Sequence, residues 1–76
     1  MALPLHVITH NLTINNGPLN EHIQMAAGVT LTLGGGGGVV NGYIFGPGNL
    51  TVGGNWTLGN IGIAPPAHEI SYSYTT

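Results

Sequence analysis

Reactive side chains are few: His6, His10, His22 and His68, Glu21 and Glu69, and Ser71 and Ser73. His6 and His10 would share one face of a helix, but the segment around them alternates like a strand. Four strand residues span ~13 Å, too far for two ligands of one ion. Hydrogen-bonded histidines without a metal are therefore expected. Serine catalysis requires a nucleophile held against a base that a third group orients. Ser71 and Ser73 have only His68-Glu69 nearby in sequence, so no catalytic residue is assigned. The glycine-rich stretches Gly34–Gly38 and Gly46-Pro47-Gly48 lack the Lys and Ser/Thr of a phosphate loop and the βαβ setting of a dinucleotide site. The sequence thus predicts no enzyme, cofactor, metal or small-molecule substrate.

Charge narrows the partners further. The 76 residues contain no Lys or Arg, and 3% are charged. Without cations the chain cannot release counterions from phosphates, which excludes nucleic acid as an expected partner. A polybasic membrane patch is excluded for the same reason. No run approaches the ~18 apolar residues of a membrane helix, so no membrane insertion is expected. The first eight residues also lack the charged n-region and long apolar core of a signal peptide. Surface exposure would then result from removal of a signal or release by lysis. With no cysteine, staples are excluded, and a chain this short commonly gains its missing burial by association. A composition that is 42% hydrophobic with a formal charge of −2 offers little repulsion between copies. The expected partner is the chain itself.

A repeated phrase supplies the scaffold. Leu12-Thr13-Ile14, Leu31-Thr32-Leu33 and Leu50-Thr51-Val52 recur at intervals of 19 residues, and each runs into Gly or Asn. A fixed period near this length marks coils stacked one on the next. Side chains alternate along a strand. Leu12, Ile14, Leu31, Leu33, Leu50 and Val52 are therefore expected to stack inside. Asn11, Thr13, Thr30, Thr32, Asn49 and Thr51 are expected to form outward ladders. The predicted fold is all-β: a short parallel β-solenoid of about three coils with a 19-residue period. A β-sandwich completed by a donated terminal strand is the alternative.

This frame divides the chain into three segments. Residues 1–10 read as an N-terminal arm or atypical first coil, with Leu3, Leu5 and Val7 alternating and Pro4 suited to an edge. Residues 11–66 form the repeat domain. Within it, Ile23-Gln24-Met25 is favoured as a strand over a helical turn at residues 19–27, and the five glycines are expected to make a tight corner. Residues 67–76 form a C-terminal tail in which Ile70, Tyr72 and Tyr74 share one side. Arm and tail are expected to lock neighbouring subunits by adding strands to their edges. Asn11, Asn49 and Asn55 each begin an N-glycosylation sequon, but turn-forming Asn before strand-forming Thr is the favoured reading, since glycosylation also requires a suitable secretory host.

The run Gly48-Asn-Leu-Thr-Val-Gly-Gly-Asn-Trp-Thr-Leu-Gly59 resembles repeats of right-handed parallel β-helix proteins, among them filamentous adhesins, autotransporter passengers and phage tail fibres. The resemblance covers residues 11–63 and is compositional. It implies a structural role outside the cell or on a cell, spore or virion surface. Combined with open strand edges, which template pairing, it makes a head-to-tail, protease-resistant filament the expected assembly. A trimeric phage-fibre or spike segment is the runner-up, and the Thr ladders also suit an ice- or surface-binding module.

Overall fold

The computed structural model describes residues 2–76. Seven strands succeed one another: β1 (Leu3–Ile8), β2 (Leu12–Asn16), β3 (His22–Met25), β4 (Thr30–Phe45), β5 (Asn49–Val52), β6 (Trp56–Ile61) and β7 (Ile70–Thr75). A 3₁₀ turn at Ala67–Glu69 precedes the last strand. Every strand pairing is parallel. Parallel neighbours need a long crossover between them, and here the crossover is the remainder of each coil. The chain is a parallel β-solenoid of about three turns with a period near 19 residues. The sandwich alternative fails because it requires antiparallel neighbours.

Two sheets share β4. In one, Thr30–Leu33 lies between β2 and β5, with Leu31 opposite both Leu12 and Leu50. In the other, the strands run β7-β1-β3-β4-β6. A third row, Leu19, Val40 and Leu58, joins them at the back of each coil. The core forms where these rows meet: Ile8, Ile23, Met25, Val29, Leu31, Leu33, Val40 and Ile44 are buried in one cluster. Leu31, Leu33, Ile23 and Ile44 are completely buried, since each lies on a strand with a stacked neighbour on either side. Burying such a side chain stabilises the fold by roughly 1.5–3 kcal/mol. His22–Met25 forms a strand, and β-branched Ile23 faces the core from it.

The glycine run is part of β4 and turns it from the β2-β4-β5 sheet into the other sheet, so the expected corner is there, built as a bulge within a continuous strand. Ile14 pairs with Leu33 and Asn16 with Gly37, so two residues of β2 face four of β4. Gly35 and Gly37 have φ of 63° and 94°, in the left-handed region. A Cβ on Gly35 would strike the Asn15 carbonyl oxygen, and one on Gly37 the Asn55 carbonyl oxygen. The bulge therefore exists because only glycine permits both the backbone conformation and three closely packed backbones.

β1 is interior, between β3 and β7, which corrects the expectation of an edge for Pro4. The β1–β7 register shifts between Leu3 and Leu5, and an irregularity there accommodates a residue without an N–H.

Candidate assembly surfaces

The core columns Leu12–Leu31–Leu50 and Ile14–Leu33–Val52 are in register across β2, β4 and β5. Leu31 and Leu33 are sealed, Leu12, Ile14 and Leu50 are half-buried, and Val52 is 41% exposed. The apolar stack is thus cut open at both ends. Between these columns runs the ladder Thr13–Thr32–Thr51, again in register. Thr30 faces Asn49, and its N–H donates to the Asn11 side-chain oxygen at 2.8 Å. A further Asn pair lies at a different spacing: Asn41 donates to Asn20 at 2.6 Å.

Among the described residues, four strands have a neighbour on one side only. β2 and β5 are the margins of one sheet, and β6 and β7 those of the other. Their outer N–H and C=O groups are free to pair with another chain. Ile61 and Ile63, which the alternation places in an apolar role, are 42% and 58% exposed beside the β6 margin.

Arm and tail meet inside the chain. Leu3 lies opposite Ile70, Leu5 opposite Ser73, His6 opposite Tyr74 and Val7 opposite Thr75. The pairing continues where the Thr76 N–H donates to the Val7 carbonyl and the Thr9 N–H to the Thr76 carbonyl, each at 2.9 Å. Residues 62–69 strap β6 to β7 across the sheet. Four strand spacings are ~19 Å, within the ~26 Å reach of eight extended residues. A tethered strand competes at high effective concentration against any partner's strand. In this structure the tail accordingly occupies its own β1.

Polar clusters fasten the tail and strap. The Tyr74 hydroxyl donates to Glu21, and His6 Nδ1 lies 3.3 Å from the same carboxylate. The His6 and Tyr74 rings stack at 4.4 Å, with Tyr72 stacked beyond at 5.9 Å. The Glu21 hydrogen bond, with desolvation and the carboxylate charge, pushes the Tyr74 phenol up to about 12. The second cluster is centred on His22, the buried polar residue of the coil. Its Nδ1 accepts from the Tyr43 N–H at 3.0 Å, while Nε2–H donates to the Glu69 carbonyl at 2.7 Å. These partners fix the tautomer. The Tyr43 hydroxyl donates to the Glu69 carboxylate at 3.2 Å. Desolvation first, then that bond and charge, raise the Tyr43 phenol. Both acidic residues of the chain therefore serve in attaching the C-terminal segment.

Compared with protein-family models, curated proteins and solved structures, the chain matches none. What it can do rests on its own geometry: in-register ladders, open strand margins and a folded-back tail.

Proposed function

We propose that this chain is a structural subunit that self-assembles head to tail into a filament outside the cell or on a cell, spore or virion surface. One observation carries the reading. β2 and β5 display the same Leu-Thr-apolar phrase, both bind β4 in one register, and both leave their outer edge unpaired. The margin of β5 therefore offers a second copy's β2 the contacts that β4 already makes with each. Such a heterologous contact does not close on itself and propagates an open fibre. Nearly absent charge removes repulsion between identical faces, and the absence of Lys and Arg leaves trypsin no site. The likeness to β-helix adhesin, autotransporter and tail-fibre repeats supports the same role.

Negative-stain electron microscopy over a concentration series tests this. Uniform filaments that persist in trypsin are expected, whereas discrete particles throughout, trimers included, would overturn it.

A second reading draws on the in-register Thr13–Thr32–Thr51 ladder: binding to ice or another regular surface. Thr32→Tyr separates the two, because it interrupts the flat ladder while leaving the main-chain margins untouched. Under the filament reading, assembly survives the substitution.

A further inference from the structure

We propose that residues 60–76 act as an internal stop: copies stack only from molecules in which β7 has left β1 and Asn60–Ile61 have left β4. This inference rests on the self-assembly reading above and adds its control. The sheet β7-β1-β3-β4-β6 is five strands deep, while β2-β4-β5 is three strands deep. In a regular stack every side of the coil must advance by the same number of layers. Placing a second copy's β2 on β5 advances the molecule by three layers. On the deeper side, that copy's β1 would then fall where Asn60 and Ile61 pair with Tyr43 and Ile44. Its β7 would fall on Tyr43–Phe45. Intact subunits therefore clash on one side just as they engage on the other.

The two surplus layers are the end of β6 and β7. Without them, each side of the coil is three layers deep and the opposite ends of the molecule are congruent. At the first coil, an apolar recess lined by His6, Ile8, His10, Asn11, Leu12 and Thr76 lies between β1, β2 and the end of the tail. The groups that hold the stop are also on one side. His6, Glu21, Tyr74 and Thr76 join β7 to the body, and His22 and Tyr43 hold Glu69 of the strap. The occupant of the freed margin is a second copy, because its strands carry the register that β1 and β2 already accept from this chain.

The test locks the tail in the full-length protein. Val7 and Thr75 are opposite one another, and parallel partners ~4.8 Å apart fall within the Cα range of a disulfide. The chain has no other cysteine, so Val7→Cys with Thr75→Cys gives one defined link. Light scattering and electron microscopy track the double variant oxidised and reduced, beside Tyr74→Ala, which weakens the attachment. Loss of assembly in the oxidised form, its return on reduction and faster assembly of Tyr74→Ala are expected. Equal assembly of oxidised and reduced forms would overturn the stop while leaving self-assembly standing. If neither the reduced form nor Tyr74→Ala assembles, the self-assembly reading fails and the stop falls with it.

Discussion

The Tyr74 hydroxyl donates to the Glu21 carboxylate across 53 residues of chain, tying the last strand to the entry of β3. Since β1 separates β7 from β3, this one bond spans three neighbouring strands. It converts a tail that could pair with any open edge into part of the chain's own sheet.

Alkaline pH should loosen that closure. The folded Tyr74 phenol is raised to about 12 from an ordinary value of 10. Its contribution is complete below pH 10, where the phenol is protonated in both states. It is lost as pH rises through 12, because the unfolded chain releases the proton first. Denaturation monitored by Trp56 fluorescence should show stability falling from pH 10 upwards. Tyr74→Phe should flatten that fall without abolishing it, since Tyr43 is raised as well. An unchanged slope in Tyr74→Phe would contradict the assignment.

Core depth predicts a gradient along each stacked column. Leu31 is fully buried between Leu12 and Leu50, so Leu31→Ala should cost about 2–5 kcal/mol. Val52, exposed at the end of its column, should lose less than about 1 kcal/mol as Val52→Ala. Urea melts of the two variants provide the comparison. Equal losses would mean that the coils are not stacked in this order.

Glycines within one run should differ sharply. Gly37 has φ of 94° and no room for a Cβ beside Asn55. Gly37→Ala should cost at least ~1–3 kcal/mol. Gly36 has open space around it and no left-handed φ, so Gly36→Ala should be neutral or stabilise by up to ~1 kcal/mol. Thermal melts distinguish this bulged strand from a flexible glycine loop, in which both substitutions would behave alike.

Removing the buried imidazole should release the strap. His22→Leu leaves the Tyr43 N–H and the Glu69 carbonyl without their partner, at a cost of about 2–4 kcal/mol. Amide exchange should quicken across residues 62–75 before the rest of the coil. Uniform loss of protection would show that His22 supports the core rather than the strap.

The sequence by itself determined the stacked coil. A 19-residue phrase with period-two alternation places Leu12, Leu31 and Leu50 in one column and Thr13, Thr32 and Thr51 in another, because a one-residue slip would turn every apolar side chain outward. The near absence of charge was equally plain from composition. Less legible were the row Leu19–Val40–Leu58 and the Asn20–Asn41 pair, whose spacings depart from 19 because the β4 bulge displaces the residues after it. Only the tertiary structure decided where the tail goes. Alternation in Ile70–Thr75 marks a strand, but nothing local states which open edge it takes. That choice depends on the reach of residues 62–69 and on contacts such as Glu69 with His22 and Tyr74 with Glu21, separated by 47 and 53 residues. The same distant contacts make one side of the solenoid five strands deep, and the inferred barrier to stacking comes from that difference in depth.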